Sequence, residues 1–374
     1  MMKELHKVRI GDICNVRTGK LNANASSPTG AYPFFTCSRE ALRIDHYAYD
    51  CECVLIAGNG ELNAKYYNGK FNAYQRTYII SLKPSIDDVS VKYLFFFFSS
   101  YIETLRVNSI GGIIKYIKLG DITDAFVPLP SIEEQNHIVS ELELITKVIE
   151  KKKSQIQDFD LLSKSFFNEM FGDPSINDKG WPMVKFGSLV KDNYVGLSRG
   201  AKEQGSDRQF IYFKMNNISP NGFVDLSKLV RIDASVVEQS KYEIHYGDFL
   251  FNTRNSYELV GKACVFNIRP QEPYLFNNNV LRITFKDLID PFFLSVLFKD
   301  RFIAEQLNGI KKGTTNVCAI YYRDLASINV ILPNLELQYK YREIFESIEF
   351  KKAAIKRSLK EINAMYENQI HQWF

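Results

Sequence analysis

The chain has 374 residues, enough for two or three domains, and its 45% hydrophobic and 24% charged content excludes a disordered or fibrous protein. Its net charge of +4 is too small to make the whole molecule a polycation, so any field that attracts a nucleic acid has to come from local clustering. No apolar run reaches the 18 residues of a membrane span, Met1–Ile10 lacks a signal-peptide core, and six cysteines without zinc spacing read as reduced thiols and not as a metal site, so the expected location is the cytoplasm, with no membrane partner.

Taken in chain order, Val8-Arg9-Ile10-Gly11-Asp12-Ile13 opens the first domain. Val54–Ala57 and Thr77–Ile80 read as strands, and Gly58-Asn59-Gly60 and Asn68-Gly69 as tight turns. Tyr93–Phe98 is the longest apolar burst and reads as part of a buried helix over about Lys92–Leu105. A glycine turn, Ile110-Gly111-Gly112-Ile113, follows, then Gly120-Asp121-Ile122 and the helix entry Val127-Pro128-Leu129-Pro130-Ser131-Ile132-Glu133-Glu134-Gln135.

The chain then repeats itself. Val184-Lys185-Phe186-Gly187-Ser188-Leu189 answers the opening at an offset of 176, and Val330-Ile331-Leu332-Pro333-Asn334-Leu335-Glu336-Leu337-Gln338 answers the helix entry at 203, so the second copy is about 27 residues longer. Between them a strand at Val280–Thr284, an apolar helix over about Pro291–Leu307, a glycine turn at Lys312-Gly313-Thr314-Thr315 and Arg323-Asp324-Leu325 follow in the same order.

Each helix entry leads into a heptad seam. The first runs Gln135, Ile138, Leu142, Ile145, Ile149, Lys152, Ile156, Phe159, Ser163, Phe166, Met170. The second, 203 residues on, runs Gln338, Tyr341, Phe345, Ile348, Lys352, Ile355, Leu359, Ile362, Tyr366, Gln369, Trp373. Phe171-Gly172-Asp173-Pro174 closes the first helix with a glycine cap and a proline stop. The pattern predicts an α+β (mixed α/β) protein with two similar globular domains separated by two long helices that pair as an antiparallel coiled coil about a pseudo-two-fold axis. The expected boundaries are 1–129, 130–174, 175–332 and 333–374. Some 36 residues of helix make a rod of about 50 Å.

The ordered set of motifs resembles the specificity subunits of type I restriction-modification systems. The opening Val8–Ile13, the entry Leu129-Pro130-Ser131-Ile132-Glu133-Glu134-Gln135, the junction from Phe171 through Gly180-Trp181-Pro182 to Leu189, and Ala31-Tyr32-Pro33-Phe34-Phe35 carry the likeness, which covers the whole chain. The resemblance implies two target-recognition domains, each reading a half-site in double-stranded DNA, with a spacer of any sequence between the half-sites. It also implies docking of two methyltransferase subunits, with restriction subunits joining through them. No cofactor is expected on this chain; S-adenosylmethionine would belong to the methyltransferase partner. Residues expected to make helix and partner contacts are Ile138, Leu142, Ile145, Ile149, Ile156, Phe159, Phe345, Ile348, Ile355, Leu359 and Ile362.

No catalytic set is legible. The sequence has no Asn-Pro-Pro-Tyr or Asp-Pro-Pro-Tyr loop, no Gly-x-Gly-x-x-Gly after a strand and no Walker loop, and its five histidines lie far apart. A fused methyltransferase or nuclease and a coiled-coil scaffold that binds only protein are the competing readings. Base edges are read by Arg or Lys at guanine and by Asn or Gln at adenine. Such residues stand beside glycines in several loops: Arg17, Lys20, Arg39, Asn59, Arg76 and Lys115 in the first half, and Arg199, Asn216, Asn217, Arg254, Lys311, Lys312, Thr314 and Asn316 in the second. Gln75 and Asn277 sit beside strands, where satisfying the backbone is the competing role.

Overall fold

The computed structural model describes residues 6–112 and 114–374, so Ile113 of the first glycine turn lies outside the described residues. The chain divides into two compact units: residues 6–155 with 355–374, and residues 156–354. Both long helices pass from one unit to the other, because Ile132–Phe171 and Leu335–Trp373 are each continuous.

In the first unit a six-stranded sheet has the order Cys14–Thr18, Thr77–Leu82, Tyr49–Ala57, Ala64–Ala73, Tyr32–Phe35, Leu42–Ile44. All its pairs are antiparallel except Tyr32–Phe35 with Ala64–Ala73. The apolar burst lies in the helix Val91–Asn108, capped by Ser90, whose hydroxyl accepts from the Tyr93 amide. Its Leu94, Phe97 and Phe98 share one core with Val54, Ile56 and Ile80 of the sheet. Asn68-Gly69 is not a turn. It lies inside the Ala64–Ala73 strand, paired with Glu52 and Cys51, because a long ladder to Tyr49–Ala57 outweighs the local preference and Gly69 takes φ +131°.

The second unit splits its strands among several sheets. Val190–Val195, Val280–Phe285, Phe249–Asn252 and Ala263–Val265 form one antiparallel sheet in that order. Gln204–Gly205, Val230–Ile232, Phe210–Phe213 and Tyr274–Phe276 form another. The extra length of the second copy falls between Leu197 and Asn277, and the parallel pair of this second sheet, Phe210–Phe213 with Tyr274–Phe276, matches Tyr32–Phe35 with Ala64–Ala73 in the first unit. The expected single helix over Pro291–Leu307 is two, Pro291–Leu297 and Arg301–Ile310. Asp300 causes the break: its carboxylate accepts from the Phe302 amide and starts a new helix.

Helix pairing is antiparallel within each unit. In the first, Gln369 Nε2 donates to Glu141 (3.0 Å), and Ile370 shares the core of Ile138 and Leu142. In the second, Lys352 Nζ meets Asp160 (2.6 Å), and the Tyr341 and Ser163 hydroxyls lie 3.2 Å apart. Every seam position on both helices is buried or half-buried, while Leu144, Leu161, Phe350 and Met365 beside it are exposed.

The two helix-entry glutamines explain their own spacing from proline. Gln135 is fully buried: Oε1 accepts the Ser90 amide (2.9 Å), and Nε2 donates to Pro130 O (2.9 Å) and Asp88 O (3.0 Å). Gln338 is also fully buried, accepting the Asp290 amide (2.8 Å) and donating to Pro333 O (2.8 Å). Each therefore ties the cap of a domain helix to the first turn of a long helix. A side chain with one acceptor and two donors is needed for that set of bonds.

Candidate nucleic-acid interface

The sheet edges position the predicted loops, and they do so in the same way twice. The strand pairs reach register at Ala57↔Thr77 in the first unit and Asn252↔Val280 in the second. One step beyond, the Gly58 amide donates to Arg76 O (2.7 Å) and the Thr253 amide to Asn279 O (2.9 Å). The same two residues accept from Ile117 (3.0 Å) and Ile320 (2.9 Å). Gly19 and Gly196 donate to Thr77 O (3.1 Å) and Val280 O (3.2 Å). At both glycines a Cβ would meet a carbonyl, Ala73 O at 2.2 Å or Phe276 O at 2.1 Å, so no larger residue fits without displacing the backbone.

In the first unit this framework gathers the loops of Gly19–Lys20, Cys37–Arg39, Gly58–Glu61, Gln75–Arg76 and Lys115–Tyr116. Gly60 donates to Lys115 O (3.2 Å), Gln75 to Leu21 O (2.8 Å) and Asn63 Nδ2 to Cys37 O (3.0 Å). In the second it gathers Leu197–Arg199, Met215–Asn216, Asn252–Arg254, Asn277–Asn279 and Lys312–Asn316. Asn278 donates to Leu197 O (2.8 Å), Lys262 Nζ to Met215 O (3.1 Å), and Arg254 pairs with Ala319 opposite Lys312.

The loops differ in which side chains are already committed. Arg199 is a structural residue: its guanidinium donates to Glu238 (2.6 Å) and it is 17% exposed. That contact and the Ser235 amide hold the Glu238 carboxyl down at about 2. Asn217 is 1% exposed, takes the Lys214 amide (2.8 Å) and donates to Asp225 O (2.8 Å) and Lys228 O (2.9 Å). It pins its own loop, so Asn217, like Arg199, is already committed within the chain, whereas neighbouring Asn216 is exposed. Lys311 donates to Tyr257 O (2.7 Å) and lies over the Tyr257 ring, and burial lowers its pKa. Lys312 is bound to Asp324 (2.6 Å) and Arg39 to Glu61 (2.5 Å). Arg17 covers the Tyr49 ring (4.8 Å), and the Thr314 hydroxyl accepts from the Val317 amide (3.3 Å).

Lys20, Arg76, Lys115, Arg254 and Asn316 are exposed, with no side-chain hydrogen bond or ion pair among the described residues. Asn59 is half-buried and likewise uncommitted. Lys115 and Lys312 are not counterparts. Ile110↔Tyr116 matches Lys312↔Ala319, so Lys312 stands where Ile110 does. Asn279, in the Asn277-Asn278-Asn279 loop, occupies the place in the second unit that Arg76 holds in the first. Its offset of 203 from Arg76 is the signal that marks it.

The seam residues Ile138, Leu142, Ile149, Phe345 and Ile348 are buried in the chain's own cores, and Ile145, Ile156, Phe159, Ile355, Leu359 and Ile362 are half-buried along the same line. They lie along the chain's own helix seam, and the exposed apolar positions of these helices are outside it. A cleft of about 540 Å³ in the second unit sets Lys164, Lys262, Lys299 and Lys311 against Asp160, Glu258 and Asp300, a balance that selects no anion. No group of three potential metal ligands exists among the described residues, and no helix is long and apolar enough to cross a membrane. Burial raises the thiols of Cys14 and Cys264 to about 12 each, so both stay protonated at neutral pH.

The duplicated framework has a counterpart among known proteins. The sequence profile of the Type I restriction modification DNA specificity domain matches residues 2–158 and again 200–364. The chain belongs to this family. Its two specificity domains correspond to the two copies read from the repeat. The EcoDI specificity subunit of a type I restriction enzyme from Escherichia coli is 40% identical over 159 residues, which are 42% of this chain and 35% of that protein. A putative MjaX specificity subunit from Methanocaldococcus jannaschii is 24% identical over 152 residues, 40% of this chain and 36% of that one. The matched stretch thus spans about a third of the length of either curated relative. The crystal structure of a type I restriction-modification S subunit from M. genitalium aligns with 100% of this chain and 98% of its own, with a TM-score of 0.65 at 14% identity, a likeness of fold.

Proposed function

We propose that the chain is the specificity subunit of a type I restriction-modification enzyme, a non-catalytic component that reads a two-part DNA target. One observation carries the reading: two specificity domains of one family share a backbone framework, and on it they present unlike sets of polar loop residues. Equal scaffolds with unlike readers suit two unlike half-sites separated by a spacer. Of the candidate loop cations, Lys20, Arg76, Lys115 and Arg254 are left for phosphate or base edges once the internal contacts are made. The recognition domains correspond to 1–129 and 175–332, with the helices 130–174 and 333–374 between and after them.

Two methyltransferase subunits are the partners this reading requires, with S-adenosylmethionine bound by them, restriction subunits attached through them, and the cytoplasm as the site of action. The exposed apolar residues beside the seam, such as Leu144, Leu161, Phe350 and Met365, offer those partners a surface. The test is a map of methylated adenines in the host genome with and without this gene. Loss of one two-part motif on deletion is the expected result. An unchanged map, together with a failure of the chain to retain DNA when isolated with its bound partners, would favour a scaffold that binds only protein.

A further inference from the structure

The matched framework allows the loop residues of the two units to be compared position by position. Two steps beyond Ala57 lies Asn59, and two steps beyond its counterpart Asn252 lies Arg254. One step before Thr77 lies Arg76, and one step before its counterpart Val280 lies Asn279. Each bridges the same partners: Asn59 pairs with Tyr116 as Arg254 pairs with Ala319. The Gly58–Arg76 and Thr253–Asn279 hydrogen bonds hold the two positions side by side in both units. Both units therefore carry one arginine and one asparagine at this corner, in exchanged places.

We propose that Asn59 with Arg76, and Arg254 with Asn279, are specificity-determining base readers, the arginine of each pair reading guanine and the asparagine reading adenine. The proposal rests on the DNA-reading function above and deepens it. Arginine presents two parallel N–H donors that match guanine O6 and N7, and asparagine presents the donor and acceptor that match adenine N7 and N6. Discrimination requires side chains free to turn to a base but carried on backbone that does not move. Arg76 and Arg254 are exposed and make no side-chain bond among the described residues. The Gly58 amide holds the Arg76 carbonyl (2.7 Å), and the Arg254 backbone is held by its pairing with Ala319 and by Asn252 Nδ2, which donates to Arg254 O (3.0 Å). Among the described residues the Asn279 side chain makes only a long contact to the Met215 sulfur (3.8 Å). Four neighbouring cations are already committed: Arg199 to Glu238, Lys312 to Asp324, and Lys262 and Lys311 to carbonyls. Exchanging arginine and asparagine between equivalent positions reverses the order in which guanine and adenine are met, which would make the half-sites unlike without a change of fold.

The experiment maps methylated sites in the host carrying the full-length gene as wild type, Arg254→Ala, Asn279→Ala, Arg76→Ala, Asn59→Ala or Asn59→Arg. Arg254→Ala is expected to relax one guanine of one half-site by about 5- to 150-fold, the range for loss of a bidentate base contact. Asn279→Ala is expected to relax an adenine of the same half-site, and Arg76→Ala and Asn59→Ala one guanine and one adenine of the other. Asn59→Arg should shift that adenine preference toward guanine. The half-site on the untouched unit serves as the control for folding and assembly, because it keeps its sequence. Uniformly weaker methylation at all sites would mark these residues as phosphate contacts and overturn the proposal. Unchanged base preference in all the variants would overturn it too, while leaving DNA reading in place. A wild-type map with no two-part motif dependent on this gene would instead remove the DNA-reading function itself, and the proposal with it.

Discussion

Replacing Gln135 with methionine keeps the length and nearly the volume of the side chain but removes every polar contact it makes. Three hydrogen bonds disappear: the Ser90 amide loses its acceptor, and the Pro130 and Asp88 carbonyls lose a donor. The Asp88 carbonyl belongs to an exposed residue and can turn to water, while the amide that begins the Val91–Asn108 helix is part-buried and pays most of the cost. A stranded buried group costs about 1–3 kcal/mol, so about 2 kcal/mol is expected for the substitution. That corresponds to roughly 30-fold faster amide hydrogen exchange over the first turn of Val91–Asn108. Hydrogen-exchange mass spectrometry of the full chain reads the effect by segment. Gln338→Met should act in the same way on the first turn of Pro291–Leu297, and more strongly per bond, because Asp290 is only 2% exposed. The reasoning fails if the exchange rate changes less than about 3-fold at both sites. It also fails if Gln135→Met accelerates the Thr77–Leu82 strand as much as the helix, since the glutamine would then support the whole domain and not the joint.

The salt dependence of DNA affinity separates free lysines from committed ones: Lys115→Ala should flatten the slope by about one unit, and Lys312→Ala, already paired with Asp324, should leave it within error. Equal slopes for the two variants would contradict the assignment. Acid should open the Arg199–Glu238 clasp. Because the Glu238 carboxyl sits at about 2 against an ordinary 4.5, its contribution is present above about pH 4.5 and is lost as pH falls toward 2. The thermal-stability advantage of wild type over Glu238→Gln should therefore shrink between pH 5 and pH 2, and an advantage independent of pH would refute the clasp. Asn217→Ala should lower stability by about 2–4 kcal/mol through three lost hydrogen bonds, as measured by denaturant unfolding, while leaving base preference intact in the folded protein.

The repeat, the long helices and the seam were legible in the sequence because each is a periodic property of neighbouring residues. Apolar residues at spacings of three and four put one stripe on each helix, and every position of that stripe is buried or half-buried. Strands such as Val54–Ala57 and Val280–Thr284 were legible for the same reason, and Gly19 and Gly196 mark matching close approaches of backbone. The tertiary structure decided what depends on partners distant in the chain. Asn68-Gly69 became part of a strand because Glu52 and Cys51 stand opposite, and the helix after Pro291 broke where Asp300 could take a backbone amide. It also sorted the polar loop residues, which composition cannot separate. Arg199 and Asn217 are consumed by Glu238 and by carbonyls of their own loop, whereas Arg76 and Arg254 are left uncommitted. A polar side chain in a loop is free or spent according to what folds against it, and only the packed chain brings that partner within hydrogen-bonding distance.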